Sequence, residues 1–173
     1  MNEQLEAIEK QVGKRNFDSP PLHLWDPPLS GDIAIRIASD GDWYHEGGKI
    51  ARASIVRLFA ALLRREDDGD YYLVTPVEKW RIQVDAHPLV VIDAREEADL
   101  LVLTLNTGRE VTVGEHHPLF LDPVTGGVAA VRLDHGLTAI FSRAAWVRLV
   151  EQYSAGDGVP EVRSGAYRFA LDG

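Results

Sequence analysis

The chain has 173 residues, of which 45% are hydrophobic, 26% charged and 8% aromatic, the make-up of a globular domain and not of a disordered tail or a fibre. That length suits one domain or two small ones and lets folding bury roughly two-thirds of the surface exposed by the unfolded chain. With 18 Lys and Arg against 27 Asp and Glu the formal net charge is −9, which repels polyphosphate and anionic lipid and argues against general nucleic-acid binding and membrane attachment.

The first residues, Met1 to Glu6, are polar and acidic, without the basic and then apolar stretch of a secretory signal, so a cytoplasmic location is expected. The longest apolar runs, Leu89–Ile92 and Leu100–Leu103, have strand length and not membrane-spanning length. Leu5, Ile8 and Val12 fall at helical spacing within residues 3–15 and predict a helix with a narrow apolar stripe that packs loosely. Residues 17–30 hold Pro20, Pro21, Pro27 and Pro28 around Trp25, and read as an extended arm pinned by that tryptophan.

From Asp32 the period becomes two: Ile33, Ile35 and Ile37 alternate with Ala34 and Arg36, and Asp40-Gly41 supplies the turn of a β-hairpin into Trp43-Tyr44. Ile55, Leu58, Phe59 and Leu62 recur at helical spacing, and Arg64-Arg65 complement a helix C-terminus, which predicts a helix over 51–65. Strands follow at 71–74 and 80–84, interrupted at Thr75-Pro76. The second half carries predicted strands near 99–105, 110–113, 128–133 and 137–141, a helix over 142–153, a glycine-rich loop and a closing strand at 166–171.

Ala51–Phe59 aligns with Ser142–Val150 at one constant offset, matching Arg, Ala, Val, Arg and Leu, which suggests a duplicated hairpin–helix–strand unit. The expected fold is therefore α+β with two related halves, each a β-hairpin or antiparallel sheet packed on one helix. The halves are counted as residues 31–98 and 99–173, after an N-terminal helix and Pro-rich arm over 1–30.

Gly31-Asp32-Ile33, Asp40-Gly41 with Trp43, Arg57-Leu58-Phe59, the run Leu73-Val74-Thr75-Pro76-Val77-Glu78-Lys79, and Gly114 through His117-Pro118-Leu119 together resemble the bacterial domain-of-unknown-function family 1285 (DUF1285) over about residues 20–155. The resemblance implies a fold of repeated α+β motifs, with ligand binding or signalling suggested and no assigned activity. Where the family pattern has Ala-Pro-Phe, this chain has His87-Pro88-Leu89.

Arg52 and Arg143 stand in the first turns of the two predicted helices, about 60–70° from the centre of the apolar face at 100° per residue. A cation there opposes the macrodipole unless an anion is near. The alternatives are an anion-binding pocket at the helix starts or a structural ion pair. Glu78 shares a strand face with Trp80, Ile82 and Val84 and so needs a partner, for which Arg52 and Lys79 are the candidates, while Thr75 holds the turn. Adjacent His116 and His117 point to opposite faces of a strand and no His-Glu-x-x-His spacing exists, so no metal is expected; nor is a cofactor, since nucleotide-loop and hydrolase-elbow patterns are absent. The zero cysteine count removes disulfides, thiolate metal sites and a cysteine nucleophile.

The leading reading is a non-enzymatic module, with no catalytic residues, that binds a small anionic molecule in a cleft between the halves through Arg52, Thr75, Glu78, Lys79, His117 and Arg143. The second is a hydrolase using Glu78 and His117 as acid and base. The third is a protein–protein adaptor whose arm and Trp25 dock a partner or, as a homodimer, a second copy of the chain.

Overall fold

In a computed structural model the described residues are 3–12, 20–154, 156 and 158–171. The chain divides into two compact units, Met1–Ala86 and His87–Gly173. Among the described residues no helix is long and apolar enough to cross a membrane.

The first unit opens with α1 (Glu3–Val12), whose Leu5 and Ile8 are fully buried. The expected loose packing is thus corrected: the stripe is narrow but closed. Residues 13–19 and the side chain of Val12 lie outside the described residues. Six strands follow as two meanders separated by a helix: β1 (Gly31–Ile37), β2 (Trp43–His45) and β3 (Gly48–Lys49), then α2 (Ala53–Ala61), then β4 (Leu63–Arg65), β5 (Tyr71–Val74) and β6 (Lys79–Val84). Their spatial order is β3-β2-β1-β6-β5-β4. The central pairing of this sheet is parallel: β1 lies beside β6 with Gly31 opposite Trp80. Period-two alternation in β1 buries Ile33, Ile35 and Ile37 on one face and exposes Asp32, Ala34 and Arg36 on the other. Phe59 of α2 packs on Trp43 of β2, ring centroids 6.4 Å apart, with both side chains buried.

The second unit has the same sheet: β7 (Leu89–Glu97), β8 (Leu100–Leu105), β9 (Glu110–Thr112), β10 (Leu119–Asp122), β11 (Val128–Arg132) and β12 (Thr138–Phe141), ordered β10-β11-β12-β7-β8-β9. Here too the first strand of one meander, β7, runs parallel to the last strand of the other, β12, with Leu89 opposite Ala139. Then come α3 (Arg143–Tyr153) and the hairpin β13 (Glu161–Ser164) and β14 (Tyr167–Ala170). Ser142 caps α3 by accepting from Ala145 N at 3.1 Å, and Trp146 packs edge-on against Phe141 of β12. Ser164 ties the hairpin to the sheet: its Oγ accepts from Leu101 N at 2.9 Å and donates to Val113 O at 2.6 Å.

The molecule is α+β with two related halves, but their likeness runs through the strands. The matched helices occupy different places, α2 between the meanders and α3 after both. The predicted helix over 51–65 ends at Ala61. Leu62 and Leu63 are both buried, Leu62 O accepts from Val74 N at 3.0 Å, and Arg64-Arg65 belong to β4 instead of closing a helix. The sequence marks β7 only by the strand-length apolar run Leu89–Ile92 and does not mark β10 or β13; Leu89, Val90 and Val91 of β7 are buried in succession, without alternation. The arm contains a 3-10 turn over Leu22–Leu24, and Trp25 packs on Leu22, Tyr72 and Val74.

Replacing Phe59 by Ala removes the ring wedged under Trp43, and is expected to lower the unfolding free energy by about 3–5 kcal/mol, read as a lower urea midpoint with unchanged slope.

Candidate functional site

In the first unit the sequence signal at Leu73–Lys79 resolves into a turn and the head of β6. Thr75 is completely buried. Its hydroxyl accepts from Glu78 N at 2.9 Å and Val77 N at 3.3 Å, and its own N–H donates to Glu78 O at 2.9 Å. The turn is therefore closed from both sides, and Pro76 lends it a fixed φ. Glu78 accepts from the indole Nε1 of Trp80 at 2.9 Å. This corrects the expected pairing of Glu78 with Arg52 or Lys79; the shared face with Trp80 was right, and the indole is the donor.

Lys79 enters a charged face of the sheet. Register puts Lys79 opposite Val74, and Tyr72 opposite both Arg81 and Arg64, so Arg64, Tyr72, Lys79 and Arg81 project from one side. Lys79 Nζ lies 4.8 Å and the Arg81 guanidinium 5.8 Å from the Tyr72 ring centroid. Arg64 donates to Leu22 O at 2.9 Å and Trp25 O at 2.8 Å, fixing the arm. The counter-charges come from the β4–β5 loop and from Asp32 of β1, which lies 3.3 Å from Arg81. Glu66 bridges Arg64 at 2.6 Å and Lys79 at 2.9 Å, Tyr72 O–H donates to Asp68, and Asp70 lies 3.4 Å from Arg81. Desolvation pushes the Glu66 carboxyl up, but the hydrogen bonds from Lys79 and Arg64, with their charges, outweigh it and hold the group below its ordinary range.

The other predicted residues lie elsewhere. Arg52 is the residue before α2, 66% exposed in its side chain, with Glu9 of α1 at 4.0 Å. Arg143 is exposed at the start of α3. His117 Nδ1 faces Thr112 O at 3.2 Å, while Nε2 has Asp134 at 3.8 Å, beyond hydrogen-bond reach. Glu78 and His117 thus each have partners within their own unit. Among the described residues no cluster of three His, Cys, Asp or Glu could hold a metal ion.

The second unit contains a constellation that sequence reading missed. His87 Nε2 is 2.6 Å from Asp122 Oδ2 and its Nδ1 is 2.7 Å from Thr138 Oγ1. All three residues are nine-tenths or more buried, at 8%, 9% and 9% exposure. An ionised carboxylate only accepts, so Nε2 carries a proton; in the neutral imidazole Nδ1 then accepts from the Thr138 hydroxyl, and in the imidazolium it donates to Oγ1. Asp122 is further oriented by Val124 N, which donates to its Oδ1 at 2.9 Å. The hydrogen bond from His87 holds the Asp122 carboxyl below its ordinary value, against a smaller opposing push from desolvation.

A family model described as the DUF1285 N-terminal domain matches residues 20–87, and one described as the DUF1285 C-terminal domain matches residues 82–171. The chain belongs to the DUF1285 family. A DUF1285 family protein from Silicibacter pomeroyi DSS-3 is 35% identical, with a TM-score of 0.84 over 99% of this chain and 96% of that one. A second, from Shewanella baltica OS155, is 30% identical, with a TM-score of 0.57 over 70% of this chain and 93% of that one. The search of curated proteins found no match.

Because the folded Asp122 carboxyl is depressed, the stability it supplies is complete above its unfolded value of about 3.9 and disappears as pH falls through the lower folded value. Thermal melting of Asp122→Asn across the acid range should therefore show a smaller acid-induced loss than the parent DUF1285 protein below about pH 4; parallel curves would contradict the assignment.

Proposed function

We propose that this DUF1285 protein is a binding module for a small anionic ligand, such as a phosphorylated metabolite or a di- or tricarboxylate, with a regulatory or signalling role. The observation that carries the reading is the gathering of Arg64, Lys79 and Arg81 on one sheet face around Tyr72. Of their carboxylate partners, Glu66 and Asp70 sit in the loop between β4 and β5, where Asp68 takes the Tyr72 hydroxyl, and Asp32 of β1 lies 3.3 Å from Arg81.

A ligand carboxylate or phosphate supplies the acceptor geometry that Glu66 now supplies, so exchange of one for the other costs little Coulomb energy. Thr75 and Glu78 serve by rigidity: the closed turn and the Glu78–Trp80 bond fix the backbone from which Lys79 projects. Ser30 Oγ completes that anchorage by accepting from Lys79 N at 3.1 Å. Arg52, Arg143 and His117 have no part in this reading.

A thermal-shift screen of the full chain against nucleotides, phosphorylated metabolites and polycarboxylates tests it. A ligand that stabilises the parent protein should lose its effect in Lys79→Ala. Glu66→Gln, which removes the competing carboxylate, should bind that ligand about tenfold more tightly, or ~1.4 kcal/mol. Equal shifts in parent and Lys79→Ala for every compound would refute the site.

A further inference from the structure

We infer that the second sheet carries a hydrolytic site in which Thr138 is the nucleophile, His87 its general base, Asp122 the group that orients the imidazole, and Arg132 the contact for an anionic ester substrate. This does not rest on the anion site of the first sheet.

The hydroxyl–imidazole–carboxylate chain has the connectivity that activates a hydroxyl in acyl transfer: nucleophile to base at 2.7 Å, base to carboxylate at 2.6 Å. Both protonation states of the ring are accommodated in place. Neutral His87 accepts the Thr138 proton at Nδ1; after taking it, the same Nδ1–H faces Oγ1, while the Asp122 contact persists and stabilises the imidazolium.

The surroundings add a substrate contact. Arg132 of β11 is directly opposite Thr138 of β12, so the two side chains emerge on the same face. Its guanidinium lies 4.4 Å from the centroid of the Phe120 ring, and among the described residues it enters no ion pair. The Phe120 ring in turn stands 6.4 Å from that of His87. Phe120 also packs on an apolar cluster of Val90, Ala130 and Ile140, which offers a floor for the uncharged part of an ester.

The reaction balances within these groups. Oγ1 of Thr138 bonds to the ester carbonyl carbon as its proton passes to His87 Nδ1. The ester C–O bond then breaks, and the leaving alkoxide takes that proton and departs as the alcohol. Water adds to the acyl-threonine, giving its proton to His87. The acyl–Oγ1 bond breaks, Oγ1 recovers the proton, and the carboxylic acid leaves.

The test uses the full chain with p-nitrophenyl acetate and with 4-acetoxy-3-nitrobenzoate, an anionic acetate ester. We expect a burst of nitrophenolate and an acetyl group mapped to Thr138 by tandem mass spectrometry. Thr138→Val should lose the adduct and Thr138→Ser should keep it. His87→Gln should slow acylation by about 10²-fold or more, and Arg132→Ala should abolish the preference for the anionic ester while leaving the neutral one. Acetylation confined to lysines in the folded parent protein would overturn the inference, as would parent-like turnover by Thr138→Val. Where circular dichroism shows that Thr138→Val is unfolded, adduct mapping on the parent and Thr138→Ser decides.

Discussion

Each unit of this protein depends on one pairing: the first strand of its leading meander lies parallel to the last strand of its trailing one, β1 with β6 and β7 with β12. A parallel pair cannot be joined by a tight turn, so everything between the two strands must be laid out around them. It also brings both strand starts to one end of the sheet, beside its centre. In the first unit that place holds Ser30 and the closed Thr75–Glu78 turn leading to Lys79. In the second it holds His87 and Thr138. Counted from the register partners Gly31–Trp80 and Leu89–Ala139, Lys79 and Thr138 occupy the same position, one residue before the paired β6 or β12 residue. The two chemically distinctive places of the chain are thus the same topological place used twice.

What differs is how the polar groups at that place are satisfied. In the first unit they are charges at a sheet face, neutralised by Glu66 and Asp70 of the loop between β4 and β5 and by Asp32 of β1. Pairs of this kind, partly open to solvent, add little stability each and exchange readily with solutes. In the second unit the groups are buried, where an unmatched donor or acceptor costs more. His87, Asp122 and Thr138 meet that constraint by saturating one another, with the Val124 amide filling a further carboxylate position. The first arrangement leaves paired charges partly exposed, and the second encloses a hydroxyl–imidazole–carboxylate chain.

The sequence made much of the fold legible wherever a local pattern carried the structure. Alternation over Ile33, Ile35 and Ile37 read as β1, Asp40-Gly41 as its turn, and the stripe through Trp146 and Leu149 as α3. It misled where two physical signals coincide: Arg64-Arg65 after an apolar helical stripe look like a helix end, yet the backbone turns at Leu62 and Arg64 serves the arm carbonyls. It marked β7 only by the strand-length apolar run Leu89–Ile92, since the buried Leu89–Val91 and the more exposed remainder lack a period. Thr75, Glu78 and Lys79 were visible because they are contiguous, although the partner of Glu78 was not. The His87 constellation was invisible because its members stand 35 and 51 residues from His87 in the chain. Only sheet pairing assembles them.

Arg52 and Arg143, the residues most conspicuous in the sequence, are both exposed at the helix starts. A cation at a helix start is unfavourable only while the first-turn amides lack other company and solvent is excluded. Arg52 sits at the boundary of α2 with its guanidinium largely in water and Glu9 nearby, and Arg143 is likewise exposed, so screening removes the tension that made them look purposeful. Lys79 and Arg64 gave no such signal, since neither was predicted to stand at a helix start. They become chemically significant through desolvation and a shared carboxylate, properties that arise when β4, β5 and β6 align and not before. Electrostatic oddity along a chain is therefore a weaker guide to a site than the convergence of ordinary residues across strands.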